Sequence, residues 1–93
     1  MITYGFTLYN TSMKARVYVS FKPTVLDPQG QTIQRALTGL GHASIGQVRQ
    51  GKFFEIDITP GKGKQAVLAE VDQIAKEILS NPVMEDYRVE ILD

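Results

Sequence analysis

The sequence predicts an α+β sandwich in which one four-stranded sheet carries two helices on one face. Three observations lead there. Short runs in which every second residue is apolar mark strands over 17–21, 45–50, 52–58 and 85–92. Two longer runs space their apolar residues for a helix, over 28–40 and 63–80. Proline, glycine and asparagine stand at most of the joints between these runs. The order is β-α-β-β-α-β, and covering one sheet face with both helices gives a ferredoxin-like sandwich.

Each element follows from its residues. In the first strand Val17, Val19 and Phe21 share one face, and Tyr18, Ser20 and Lys22 share the other. Pro23 has no N–H for a sheet ladder and ends the strand. Asp27 offers an acceptor to the free N–H groups of a first helical turn, and Pro28 sits where a missing donor costs nothing. Ile33, Ala36, Leu37 and Leu40 form the stripe of the first helix, and Gly39 and Gly41 offer its exit. Gly30, in the first turn, weakens the helix by roughly 1 kcal/mol relative to alanine. It is either tolerated near a helix end or leaves room for close backbone approach. The 45–50 and 52–58 runs meet at Gln50-Gly51 and predict an antiparallel hairpin, with Phe54, Ile56 and Ile58 on one face and Phe53, Glu55 and Asp57 on the other. Val67, Val71, Ile74 and Ile78 are the central stripe of the second helix, which Asn81-Pro82 ends. The last strand turns Tyr87, Val89 and Ile91 inward. Tyr18 and Phe53 fall on the face without helices, so the sheet is expected to bury them against another copy of the chain.

Residues 14–93 account for a single domain of modest core. Residues 1–13 have neither the basic start nor the continuous apolar stretch of a signal peptide. Ile2, Tyr4, Phe6 and Leu8 alternate as in a strand. Two readings stand: a loosely held leading strand, or a non-native extension ahead of a natural start at Met13.

Composition removes several classes of function. Ten basic and ten acidic residues give a formal net charge of 0, which disfavours a duplex nucleic-acid binder. Single-stranded RNA on Tyr18 and Phe53 is disfavoured by that charge and by neighbouring Glu55 and Asp57. There is no cysteine, hence no thiolate nucleophile, and one histidine, His42. No run approaches the 18 or so apolar residues of a membrane span. These features suit a cytoplasmic protein. Gly61-Lys62-Gly63-Lys64 superficially resembles a phosphate loop, but Ile58 stands where the first glycine is required and Gln65 where serine or threonine is. Glu85 and Asp86 have no nucleophile or second acid beside them and read as charges guarding a strand edge. No catalytic, cofactor-binding or metal-binding residues emerge. Arg16, Lys22, Arg49 and Lys52 are the candidates for a contact surface.

Several stretches together carry a family resemblance. They are 17–21 followed by Lys22-Pro23; Val25-Leu26-Asp27-Pro28-Gln29-Gly30; Ala36-Leu37 with Leu40-Gly41; Val48-Arg49 with Gly51-Lys52; and Asn81-Pro82-Val83 with Glu85 and Tyr87. In order and spacing the chain resembles the PurS family, the small subunits of phosphoribosylformylglycinamidine (FGAM) synthase. Residues 1–13 have no counterpart in that pattern, and Pro60-Gly61-Lys62-Gly63-Lys64 stands where the family is usually acid-rich.

The resemblance implies a complex of de novo purine biosynthesis that uses ATP and glutamine to convert formylglycinamide ribonucleotide to its amidine. It implies a PurQ-type glutaminase that frees ammonia and a PurL-type synthetase that uses ATP and magnesium. The PurS chain, a homodimer or homotetramer, bridges the two, assists ammonia transfer, binds no cofactor and is inactive alone. The residues expected to face partners are Lys22, Leu26, Asp27, Gln29, Gly30, Arg49, Gly51, Lys52, Asn81, Pro82, Glu85 and Tyr87. The alternative is a stand-alone ferredoxin-like regulatory domain that binds a small molecule between two copies.

Overall fold

A computed structural model describes residues 13–92 of the chain. The elements are β1 (Met13–Phe21), α1 (Pro28–Gly39), β2 (Gly51–Ile58), α2 (Lys64–Ile74), continued by a π-helical turn Ala75–Leu79, and β3 (Glu85–Leu92). The leading segment expected over 1–13 lies outside the described residues except for Met13, the first residue of β1.

The three strands make one antiparallel sheet in the order β2-β1-β3. The register puts Val17 opposite both Phe54 and Val89, so the apolar residues of all three strands share a face. Ala15, Val17 and Val19 of β1 are buried against Val67, Val71 and Ala75. Phe54, Ile56 and Ile58 from β2 and Tyr87, Val89 and Ile91 from β3 flank this core, as their alternation predicts. The opposite face is lined by charge pairs: Lys14 with Glu55 and Asp57, Arg16 with Glu55, and Lys22 with Asp86.

Two expectations fail, each for a physical reason. The fourth strand is absent from the sheet: residues 45–50 have no regular structure, and the chain enters β2 at Gly51 without a hairpin turn. Nor do both helices cover the sheet. Only α2 packs on it, while α1 stands off the end of β1 with Ile33 and Leu40 exposed. The run from α1 to residue 50 is thus an arm that leaves the sheet after β1 and returns to begin β2 beside Ser20. The described body is drawn out accordingly, with a radius of gyration of 17.8 Å, against about 12 Å for a compact chain of this length.

The end of α2 departs from regular spacing. The Ser80 N–H reaches the Ala75 carbonyl at 3.0 Å, a five-residue step that inserts one extra residue into the turn. The stripe of Val67, Val71 and Ala75 therefore continues to Leu79, which packs on the core, while Ile78 is 74% exposed. The expected placement of Ile78 in the stripe is corrected by that step. Leu79→Ala should cost about 2 kcal/mol in a urea melt by opening a void. Ile78→Ala should stay within about 0.5 kcal/mol of the parent. The reverse order would show the regular spacing to be right.

Candidate functional site

Most of the candidate partner residues gather at one end of the sheet, where β1 stops, the arm departs and β2 and β3 begin. Asp27 is the focus. It caps α1 through Oδ1, which accepts the Gly30 N–H at 3.0 Å. Its Oδ2 accepts the Gln50 N–H at 2.7 Å. One carboxylate thus ties the start of α1 to the residue before β2. Asp27 is only 3% exposed, so its charge is tolerated through these charge-assisted bonds. The Gln50 and Gly30 N–H groups, then the positive charge of Arg49, hold the Asp27 carboxyl below the usual carboxylate range against the opposing effect of burial.

Arg49 closes the same joint from outside. Its Nη2 donates to the carbonyls of Lys22 at 3.0 Å and Val25 at 3.1 Å, and the Lys22 carbonyl also accepts the Val25 N–H at 2.9 Å in the turn that follows β1. Gly30 lies so close to the arm's returning segment that a Cβ would sit 2.2 Å from the Val48 carbonyl. Of the two readings of this glycine, close backbone approach is the one found. Gly51 is under a similar constraint from the Val19 carbonyl, at 2.5 Å. The side chains of Gln50 and Gln29 are hydrogen-bonded across the arm.

The other candidates surround this joint. A cleft of about 260 Å³ brings Asp27, Gln29, Gly51, Lys52 and Glu85 together. Lys52 Nζ lies 3.6 Å from Glu85 Oε2, and Glu85 Oε1 accepts the Asn81 N–H at 2.7 Å. The Lys22 N–H donates to the Met84 carbonyl at 2.8 Å, which lays the 81–84 corner beside the end of β1. Pro82, Tyr87 and Lys22 line a shared hollow. Leu26 is 63% exposed on the outer loop. Tyr87 Oη donates to Asp72 Oδ1 at 2.8 Å, and that bond, with partial burial and the Asp72 charge, raises the phenol's pKa.

Two placements differ from expectation. Arg49 and Lys52 do not flank a hairpin turn, because the chain passes straight from 49 into β2. Their roles diverge: Arg49 is spent within the fold, and Lys52 reaches across the sheet end to Glu85. On the open face Tyr18 and Phe53 do meet, with ring centroids 5.2 Å apart, and the Arg88 guanidinium lies 4.2 Å from the Tyr18 ring centre. Sequence reasoning missed Arg88, Asp72 and Gln50. Each acts through a partner at least 15 residues away, which no local spacing reveals. The glycine-lysine loop does not form a phosphate cradle: Lys62 pairs with Glu70 at 2.9 Å. Among the described residues no cluster of three acidic or histidine side chains could hold a metal ion, and no helix is long and apolar enough to cross a membrane.

The family model described as "PurS: Phosphoribosylformylglycinamidine (FGAM) synthase" matches residues 14–93. The chain belongs to the PurS family. The PurS subunit of Methanocaldococcus jannaschii is 40% identical over 78 residues, 84% of this chain and 93% of that one. The PurS subunit of Bacillus subtilis is 41% identical over 78 residues, 84% and 90% of the two chains. A crystal structure of B. subtilis PurS superposes with a TM-score of 0.74 at 40% identity over 87% of this chain and 99% of that one. A chain of the PurLQS structure from Thermotoga maritima superposes with a TM-score of 0.78 at 30% identity, covering 86% and 96%. PurS is a subunit of FGAM synthase, a ligase of purine biosynthesis.

The tight joint makes a prediction of opposite signs at two glycines. Gly30→Ala should destabilise the fold by about 1–3 kcal/mol, because the new methyl meets a carbonyl. Gly39→Ala, in open space at the end of the same helix, should be neutral or stabilising by up to about 1 kcal/mol. Thermal or urea denaturation of the two variants compares them directly, and equal effects would contradict the geometry.

Proposed function

We propose that this chain is the bridging subunit of a cytoplasmic FGAM synthase. In this reading it sits as a homodimer or homotetramer between a PurQ-type glutaminase and a PurL-type synthetase and helps ammonia pass from one to the other. The observation that carries the proposal is the similarity to a chain of the T. maritima PurLQS structure over 86% of this chain. The described chain adds a physical reason. Its polar side chains at the candidate site are engaged with one another or with backbone, so the site is a shaped surface rather than a set of groups aimed at a substrate.

In this reading Lys22, Leu26, Gln29, Lys52, Asn81, Pro82, Glu85 and Tyr87 offer the partner-facing surface at the sheet end. Asp27 and Gly30 shape it from within, and Arg49 and Gly51 stand at its surface. Tyr18 and Phe53, with Phe53 54% exposed, provide an apolar contact between copies on the otherwise charged face. ATP and magnesium chemistry belongs to the synthetase, and this chain binds neither. Ammonia in open water is protonated and diluted, so a scaffold that keeps two active sites in register and excludes solvent between them raises transfer yield.

Reconstitution tests the proposal. Purified glutaminase and synthetase subunits should show glutamine-dependent turnover only when this chain is added, and the chain alone should form no product. Equal turnover with and without it would overturn the bridging role.

A further inference from the structure

A hollow of about 310 Å³ lies where the loop after β1 meets α1 and the returning segment. Three glutamines line it, Gln31 and Gln34 from α1 and Gln47 from the returning segment. At about 100° per residue, Gln34 stands about 100° and Gln31 about 160° around the helix from Ile33, so both lie off the apolar stripe. Among the described residues none of the three side-chain amides has a hydrogen-bond partner, although Gln34 is half-buried. Each amide leaves N–H donors and one carbonyl acceptor unmet by the protein, and such groups lose stability when taken from water without a partner.

The charged groups of the hollow answer each other. The Asp27 carboxylate is engaged by the Gly30 and Gln50 N–H groups, Arg49 by the Lys22 and Val25 carbonyls, and the Arg49 charge itself acts on Asp27. A phosphate, carboxylate or ammonium group entering here would shed its water to meet a fixed charge of its own sign. What the hollow offers is neutral: amide donors and acceptors, with the exposed Leu26 among its walls. A peptide group carries the matching pair, one N–H and one C=O.

We propose that this hollow seats an extended segment of another subunit of the synthase, gripped through its main chain by Gln31, Gln34 and Gln47, with Leu26 against one of its side chains. The inference rests on the bridging role proposed above and assigns a contact to it. An extended segment is the form that fits, because its peptide groups are free to bond outward, whereas a helix has spent them on itself. The walls are set before it arrives. Gly30 is pressed onto Val48, Asp27 holds the Gln50 N–H, and Arg49 holds the loop carbonyls. Binding therefore orders side chains and the incoming segment, not the backbone of this chain. Leu26 already belongs to the partner-facing surface, so the hollow continues that surface onto the arm.

The test measures binding of the full-length chain to the purified glutaminase and synthetase subunits, singly and mixed. Gln34→Glu with Gln47→Glu keeps the shape of each side chain and replaces its N–H donors by a charge. This double variant should bind at least one of the two subunits at least tenfold more weakly, with the circular dichroism and self-association of the parent. Gln65→Glu, the same change on α2 outside the hollow, should bind as the parent does. Photoreactive benzoylphenylalanine in place of Leu26 should join one contiguous stretch of that same subunit, and the amides of that stretch should exchange with deuterium more slowly in the complex. Should the double variant not fold, the cross-link and the exchange still decide. Parent-like binding by the double variant, an equal loss in Gln65→Glu, or cross-links only to copies of this chain would each overturn the inference and leave the bridging role standing. A parent chain that binds neither subunit overturns both.

Discussion

A single buried carboxylate sets the shape of this chain. Asp27 receives one N–H from the start of α1 and another from Gln50, 23 residues later, at the threshold of β2. It shares with Arg49, which holds the Lys22 and Val25 carbonyls, the work of fixing the segment between β1 and β2. With it, the arm leaves the sheet at a defined angle, Gly30 is pressed onto Val48, and Arg49 is placed to gather the carbonyls of the preceding loop. The cost of burying the charge is offset by converging N–H donors and a neighbouring guanidinium. The sheet's core of Val17, Val19, Val67 and Val71 is small, so order at the sheet end depends on this polar joint more than on apolar burial.

How much of this was legible beforehand varies by the range of the interaction. The second half of β1, Val17 to Phe21, the face carried by Phe54, Ile56 and Ile58, and the cap Asp27-Pro28 are written in local alternation and local hydrogen bonding, while the start of β1 at Met13, four residues before the expected one, is not. Nor is the 45–50 segment. Its residues have the character of a strand, yet a strand exists only with a neighbour, and the sequence does not say whether that neighbour lies in the same chain. The turn at Ala75–Leu79 was invisible because a one-residue insertion in a helical ladder needs no special residue. The same logic governs the candidate site. Local motifs name Asp27 as a cap and Arg49 as a surface cation. What they do not show is the second partner of each across the joint: Asp27 is buried on the Gln50 N–H, and the exposed Arg49 is engaged by the Lys22 and Val25 carbonyls.

A small subunit of a larger synthase needs stiffness and surface. The joint provides the first, because an arm tied at both ends by the same side chain cannot swing freely. The exposed apolar residues around it, Leu26 at 63% and Val83 at 79%, provide the second. Several of the residues that carry the resemblance, among them Lys22, Asp27, Gly30 and Arg49, build the joint and its rim.

The Asp27 carboxylate, bonded to one amide three residues on and another 23 residues on, holds this architecture. Its folded-state pKa is lowered, so the stability it contributes is fully present above the ordinary carboxylate range and is lost as pH falls through the lowered value. Nuclear magnetic resonance can follow the Asp27 carboxyl carbon and the Gly30 and Gln50 amides in one acid titration. The carboxyl should titrate below the usual carboxylate range, and both amides should shift with it at the same midpoint. A carboxyl that titrates in the ordinary range, with the two amides moving independently, would contradict that role for Asp27.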